Sequence, residues 1–200
     1  LKLEHALKEF GLALTGKTAV DFGASTGGFT DCLLQHGAKK VFAVDVGYGQ
    51  LAWKLQNDPK VIVIDRKNAR DLKPGEIGEL VDLVVVDVSF ISLRLVAPSA
   101  FAVLKPEGDL VALVKPQFEV GKDEVENKGI IRDPKKHLNV LLDLRIFMEK
   151  KKWPIVNLSP SPITGQKGNR EFLIHCVYSE RAAALTDEHI RNSVMVESVG

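Results

Sequence analysis

The sequence predicts an α/β protein built on a mostly parallel, doubly wound sheet, and three observations carry that reading. Five short, β-branched apolar runs recur along the chain, most of them followed by a stretch that reads as helix. The first run leads into a glycine-rich turn that opens a helix. Two further apolar runs near the C-terminus flank a loop rich in Ser, Pro, Gly and Lys, which is the pattern of an antiparallel hairpin.

The parallel strands are expected over residues 18–22, 41–44, 61–64, 83–86 and 110–114, nearly continuous in apolar character as strands covered on both faces should be. Helices are expected over residues 3–10, 28–36, 48–57, 92–104 and 134–152, with the segment between the third and fourth strands unassigned. The last helix carries Leu138, Leu141, Leu142, Leu144 and Met148 mainly at helical spacing and ends in Lys150, Lys151 and Lys152. That lysine run reads either as a solvated helix end favoured by the helix dipole or as an RNA contact. Residues 155–158 and 171–177 form the hairpin strands, and a terminal helix can start at Thr186 or Asp187. Five parallel strands followed by a hairpin are expected to form a Rossmann-like, mostly parallel sheet of seven strands with a terminal antiparallel hairpin.

Composition narrows the classes. With 200 residues, 45% hydrophobic and 26% charged, the chain can bury one sizeable core as a soluble globular domain. A formal charge of +1 leaves the partner open, because phosphate binding needs a clustered basic face more than a net excess. Cys32 and Cys176 lie far apart, without the spacing of a zinc site or a disulfide framework, which fits a reducing cytoplasm. The longest apolar stretch, residues 80–88, is interrupted by Asp82 and Asp87 and falls far short of the roughly 20 residues that span a bilayer. The chain opens at Leu1 without an initiator Met or a secretory signal pattern, so an upstream domain is expected to precede it.

The turn after the first strand reads Asp21-Phe22-Gly23-Ala24-Ser25-Thr26-Gly27-Gly28-Phe29-Thr30 and lies at the carboxyl edge of the sheet, where such folds bind ligands. Its G-x-x-x-G-G spacing matches neither the dinucleotide fingerprint nor the P-loop, so it indicates no diphosphate cradle. Asp45 follows the second strand, where its carboxylate can accept hydrogen bonds from both ribose hydroxyls of an adenosine. Asp65 and Asn68 follow the third strand, either along an adenine edge or simply opening the next turn. At the same edge the fourth strand ends in Asp87, the fifth in Lys115, and the antiparallel last strand begins at Glu171. Topology thus gathers three charges, although each alone can be a solvated rim residue or a turn cap. The polar loop Lys115-Pro116-Gln117-Phe118-Glu119-Val120-Gly121-Lys122 is long enough to form a substrate lid, expected to be mobile without RNA.

These residues carry a family resemblance. Leu1-Lys2-Leu3, the glycine turn through Asp31, Asp45-Val46-Gly47-Tyr48-Gly49-Gln50-Leu51, Asp87-Val88-Ser89-Phe90-Ile91-Ser92, Lys115-Pro116-Gln117-Phe118-Glu119 and Gly168-Asn169-Arg170-Glu171 together resemble the TlyA, or hemolysin A-like, branch of the FtsJ-type ribose 2′-O-methyltransferases. The resemblance covers about residues 1–178. It implies methylation of ribose, on cytidine, in ribosomal RNA or ribosomal subunits, with S-adenosyl-L-methionine as cofactor, no metal and no membrane. It implies a Lys-Asp-Lys-Glu tetrad of Lys2, Asp87, Lys115 and Glu171, with Lys115 as the candidate base. The cofactor set it implies is Asp21, Gly23, Ala24, Ser25, Thr26, Gly27, Gly28, Phe29, Asp45, Asn68, Asp87 and Phe90. A methyltransferase domain over residues 1–180 and a tail over 181–200 follow, and family members usually carry a small RNA-binding domain ahead of this region. Three other readings stand beside it: a small-molecule methyltransferase, a pore-forming hemolysin, for which no spanning segment appears, and a catalytically silent RNA-binding scaffold.

Overall fold

The computed structural model describes residues 1–121 and 129–195. Along the described chain, helix α1 (Lys2–Glu9) precedes β1 (Thr18–Phe22), α2 (Gly28–Gln35), β2 (Lys40–Val44), α3 (Trp53–Gln56), β3 (Val61–Ile64), α4 (Pro74–Ile77) and β4 (Val81–Val86). Then come α5 (Leu93–Val103), β5 (Leu104–Val114), α6 (Pro116–Glu119), α7 (Pro134–Lys150), β6 (Ile155–Pro160), β7 (Phe172–Val177) and α8 (Asp187–Met195). The strands form one seven-stranded sheet in the order β3-β2-β1-β4-β5-β7-β6. The first five run parallel, and β7 pairs antiparallel with both β5 and β6.

Period-two alternation divides the core into two layers. Ala19, Val41, Leu83, Val85, Val111 and Leu113 meet α1 and α2 through Leu3, Ala6, Leu7 and Leu33. Val20, Phe22, Val84, Val86 and Leu110 face the other way, onto Val96 and Ala100 of α5, Leu141, Leu144 and Met148 of α7, and Ile190 and Val194 of α8. All five residues of β1 are buried, as expected of a strand covered on both faces at the centre of a parallel sheet. Because β2 and β4 flank β1 and the chain proceeds outward from it in both directions, a crevice opens at the carboxyl ends of β1 and β4. That crevice is where the glycine turn, Asp45 and Asp87 come to lie.

Several elements differ from expectation for local reasons. The helix expected over 48–57 shrinks to α3, because the Asp45 and Asp65 carboxylates accept from the Gly47 N–H at 2.7 Å and the Gly49 N–H at 3.0 Å and hold a turn there. Strand β5 begins at Leu104, which pairs with Val81 before a register shift, so α5 stops at Val103. The segment after Lys115 is not an open lid over its described part: it forms α6, and Glu119 anchors it to the start of α5. Lys122 lies outside the described residues. Lys150, Lys151 and Lys152 end α7 on the exposed side of the turn, Lys151 capping the helix and Lys152 taking the left-handed conformation at φ 64°. The tail helix α8 starts with the Thr186 hydroxyl accepting from the His189 N–H at 3.3 Å, and Ile190 and Val194 bury it against the domain.

Candidate active site

The glycine turn is shaped by what the glycines let in. Gly23 has φ +85°, and a Cβ there would strike the Asp87 backbone carbonyl; Gly27 has φ +102°, and a Cβ there would strike Leu55. The Val44 carbonyl accepts from both Gly23 N–H at 2.9 Å and Ala24 N–H at 3.1 Å, which stitches the turn to the end of β2. Ser25 also adopts positive φ, at 49°, and its N–H donates to Asp45 Oδ2 at 2.8 Å. With Oδ1 taking the Gly47 N–H, Asp45 ties the two loops together from the cavity wall.

Two cavities open from this turn. The larger, about 900 Å³, is lined by Gly23, Ser25, Asp45, Asn68, Asp87 and Phe90 among others. The smaller, about 390 Å³, is lined by Lys2, Ala24, Thr26, Gly28, Phe29 and Asp87, and it shares Gly23 and Ser25 with the larger. Asp87 therefore stands at their junction. Gly28 leaves open space where a side chain would be, since a Cβ added there meets nothing within 4 Å. Phe90 projects into solvent, 85% exposed, from a left-handed backbone at φ 63°, and packs obliquely on Phe118 at 5.1 Å between ring centroids.

The four expected tetrad residues assemble as two ion pairs. Lys115 Nζ lies 2.7 Å from Asp87 Oδ1 and donates to Ser89 Oγ at 2.8 Å. Lys2 Nζ, from the first residue of α1, lies 2.6 Å from Glu171 Oε2. Glu171 is almost fully buried and packs so closely on Gly165 that a Cβ at that glycine would strike its carboxylate. The structure thus pairs Asp87 with Lys115 and Glu171 with Lys2. Lys2 and Asp87 bring the two pairs to one cavity, since both line the smaller one. Lys115, held by one carboxylate and one hydroxyl, lines neither cavity itself and adjoins both through Asp87.

The remaining expected residues divide by environment. Asn68 lines the larger cavity and also caps a short 3₁₀ turn, accepting from Arg70 N–H at 3.1 Å, so both readings of it hold. Asp65 serves Gly49, the turn-forming alternative. Asp21 lines neither cavity: it lies buried beneath the turn, where Thr30 Oγ1 donates to its Oδ2 at 2.7 Å. Burial, with Asp87 and Asp45 nearby, raises its pKa to about 7 against the opposing hydrogen bond from Thr30.

Sequence reasoning missed Ser89 as a partner of Lys115, and it missed the Glu119 anchor. Glu119 accepts from Ser92 Oγ at 2.6 Å and from Leu93 N–H at 2.6 Å, so it caps α5 while fixing the segment that follows Lys115. Burial raises the Glu119 pKa, against those two hydrogen bonds and Arg94. Both residues sit in runs singled out by the sequence and the topology already sets β4 beside β5, but which side chains meet past the strand ends depends on the register that pairs Val86 with Ala112.

A sheet of this order, with an antiparallel β7 and a glycine turn at the β1/β4 switch point, defines the Rossmann-like methyltransferase fold. The chain belongs to the FtsJ-like methyltransferase family, whose profile matches residues 1–178. It is 52% identical over 176 residues to YqxC of Bacillus subtilis, covering 88% of this chain and 63% of that protein. It is 48% identical over 173 residues to the 16S/23S rRNA (cytidine-2′-O)-methyltransferase TlyA of Mycobacterium tuberculosis, covering 86% of this chain and 65% of TlyA. A Lactococcus lactis structure described provisionally as a hemolysin superposes with a TM-score of 0.92 at 43% identity, over 98% of this chain and 95% of the other. The resemblance seen in the motifs is thus borne out, and the chain spans slightly under two thirds of the length of the first two relatives.

Proposed function

We propose that this chain transfers a methyl group from S-adenosylmethionine to the 2′-hydroxyl of a ribose, that of cytidine, in ribosomal RNA. The observation that carries the reading is the Lys115–Asp87 ion pair, steadied by Ser89, whose Asp87 stands at the junction of two cavities, the smaller of them also lined by Lys2, the partner of Glu171. The similarity to TlyA, named for cytidine 2′-O-methylation of 16S and 23S rRNA, supports the choice of substrate.

The residues present fit the cofactor. The turn from Gly23 through Gly28 keeps backbone accessible, Asp45 lines the larger cavity with its carboxylate, and Asp21 Oδ1 is a buried acceptor without a donor among the described residues. Gly23, Ala24, Ser25, Thr26, Gly27, Gly28 and Phe29 would hold the amino-acid and sugar portions, Asp45 the ribose, and Asn68, Asp87 and Phe90 the walls around the base. When bound, S-adenosylmethionine supplies an electrophilic methyl group on a positively charged sulfur.

A ribose hydroxyl is a weak nucleophile, so the protein must align it and receive its proton as the new bond forms. In this reading Lys115 first releases a proton to solvent, its neutral Nζ then accepts the ribose proton while Asp87 and Ser89 fix its position, and Lys2, paired with Glu171, lines the smaller cavity beside Asp87. No helix among the described residues is long and apolar enough to cross a membrane. The deciding experiment compares ribose methylation of ribosomal RNA by the parent and by Lys115→Arg, with cofactor binding followed by calorimetry. Arginine keeps the charge but does not exchange a proton near neutral pH. Near-parental methylation by the arginine variant would remove Lys115 from the base role, and absence of any 2′-O-methyl product from the parent would remove the function.

A further inference from the structure

Backbone pairing between β4 and β5 runs out at Val86 and Ala112. Beyond it the Lys115–Asp87 pair is carried on two separate segments, residues 87–92 and 115–119, and among the described residues no backbone–backbone hydrogen bond joins one to the other. Side chains make the connection instead. Lys115 Nζ lies 2.7 Å from Asp87 Oδ1 and 2.8 Å from Ser89 Oγ, Phe118 packs on Phe90, and Glu119 accepts from Ser92 Oγ and Leu93 N–H, each at 2.6 Å. What Glu119 grips sets it apart. Asp87, Ser89 and Phe90 belong to the loop itself, whereas Leu93 is the first residue of α5 and lies in the core with Val96, Ala97 and Ala100.

The helix does not need this carboxylate to begin, because Ser92 Oγ already accepts from Arg94 N–H at 3.2 Å as its own N-cap. Glu119 comes to it from 26 residues away and into a largely buried place, where its two hydrogen bonds and Arg94 only partly offset the lost solvation. Between Glu119 and Lys115 lies a single stiff turn. Pro116 is buried and its ring fixes its own φ, Phe118 N–H donates to the Lys115 carbonyl at 2.9 Å, and Val120 N–H donates to the Pro116 carbonyl at 3.2 Å. A displacement at Glu119 is therefore passed on to Lys115.

We propose that Glu119 is a positioning residue for methyl transfer: it sets where Lys115 Nζ stands against Asp87 and Ser89 by locking the turn after Lys115 onto the buried start of α5. The inference rests on the reading of Lys115 as the base. Glu119 acts through its two hydrogen bonds and its length, and takes no part in moving a proton. A glutamine of the same length can accept from Leu93 N–H and donate to Ser92 Oγ, so it keeps both bonds without the charge. An aspartate keeps the charge and falls one carbon short of the two donors.

Single-turnover methylation of ribosomal RNA at saturating S-adenosylmethionine, with a melting curve for each variant, tests this. A catalytic group displaced by about 1 Å can lose about 100-fold, so Glu119→Ala should lose about 10- to 100-fold in turnover, with less change in KM for the cofactor. Glu119→Gln should recover close to the parental rate, and Glu119→Asp should fall between. Because the effect runs through Lys115, adding Glu119→Ala to Lys115→Ala should cost no more than about twofold further. Hydrogen exchange of the protein without ligand gives a readout independent of activity: the amides of Leu93 and of residues 117–119 should exchange severalfold faster in Glu119→Ala, as in the parent in Glu119→Gln, and those of α7 should be unchanged in both. If Glu119→Ala does not fold, Glu119→Asp carries the same comparison, keeping the charge and losing the reach. Parental turnover in Glu119→Ala, a Glu119→Gln variant as slow as Glu119→Ala, or the full loss repeated in the Lys115→Ala background overturns the inference and leaves the methyltransferase reading intact. A parent that makes no 2′-O-methyl product overturns that reading, and the exchange rates then show by themselves whether Glu119 locks the turn.

Discussion

Asp21 at the carboxyl end of β1 and Asp109 at the amino end of the β5 stretch that pairs with β7 are both almost fully buried, and they have opposite surroundings. Asp109 Oδ1 accepts from His175 Nε2 at 3.0 Å and from Arg181 at 3.2 Å, while Lys17 stands 3.6 Å from Oδ2. His175 is in turn held by Asn157 and stacked on Phe10. Burial alone would push the Asp109 pKa up, but His175, Arg181 and Lys17 outweigh it and hold the carboxyl below its ordinary range. Asp21 has no such cation among the described residues, and burial with its acidic neighbours raises its pKa to about 7. One end of the sheet has its charges matched by residues of the chain, which is what a structural network needs. The other holds a carboxyl that meets no cation among the described residues, at the edge where α/β sheets bind ligands.

The largest effect expected from this contrast is catalytic. Lys115→Ala should lose about 10²- to 10⁴-fold in methyl transfer, the usual contribution of a general base, with cofactor affinity and melting temperature close to the parent. Single-turnover methylation of ribosomal RNA at saturating cofactor measures it, alongside a melting curve. A melting temperature many degrees lower would place Lys115 in the same structural class as the Asp109 network and break the comparison.

At the other end, Asp109→Asn should act on stability and leave turnover per folded molecule unchanged. Removing the charge weakens the contacts to His175, Arg181 and Lys17, and because Arg181 and Lys17 reach solvent the cost is about 1.5–3 kcal/mol, the worth of a hydrogen bond to a charged group. The parent network also gives a pH signature. Because the folded pKa of Asp109 is depressed, its contribution is present above the unfolded carboxylate pKa and lost as pH falls through the folded value. Urea unfolding at neutral and acid pH should show the parent and the variant converging in acid. A constant gap down to pH 3 would mean that Asp109 acts through packing and not through charge.

Asp45 stands between these cases, being ordered by backbone N–H groups while lining the cavity. Asp45→Ala should weaken S-adenosylmethionine binding by about 1.5–3 kcal/mol, the worth of a hydrogen bond to a charged group. Calorimetry with adenosine as a second ligand sharpens the assignment: if the loss is the same for both, Asp45 acts on the nucleoside portion.

The two ends were unequally legible in the sequence. The carboxyl edge could be read because its residues cluster at strand ends: Asp45 closes the second apolar run, Asp87 the fourth and Lys115 the fifth, and parallel topology places those ends together. The glycine turn announced itself through Gly23 and Gly27, both of which need positive φ. The amino-edge network could not be read, because Asp109 and His175 are 66 positions apart and meet only through the antiparallel pairing of Asp109 with Val177. For the same reason the pairing within the tetrad could not be read: which lysine Glu171 meets depends on where α1 crosses the sheet. The short helix α3 was overestimated because apolar spacing registers Leu51 and Leu55 but not the side chains of Asp45 and Asp65 capping the turn before them.

The smallest expected effect is the one that tests the contrast from its other side. If Asp21 is a carboxylate that the fold tolerates and does not need, Asp21→Asn should stabilise the free protein where Asp109→Asn destabilises it. The sign follows from linkage. With a folded pKa near 7 against an unfolded carboxylate value near 3.8, the folded state binds the proton more tightly, so the carboxyl's contribution to stability is greatest in acid. It is lost progressively as pH rises to about 7 and changes no further above that. Asparagine keeps an acceptor for Thr30 and never ionises, so its advantage over aspartate should be near zero at pH 4 and grow to a plateau above pH 7. Each pKa unit corresponds to about 1.4 kcal/mol, but relaxation around a buried charge absorbs much of that, so a gain of about 1 kcal/mol is expected. Thermal melts of parent and variant from pH 4 to pH 8, without ligand, measure it. An asparagine variant that melts below the parent at pH 8 would show that the ionised form of Asp21 is stabilised by the chain itself, and the difference between the two ends of the sheet would collapse.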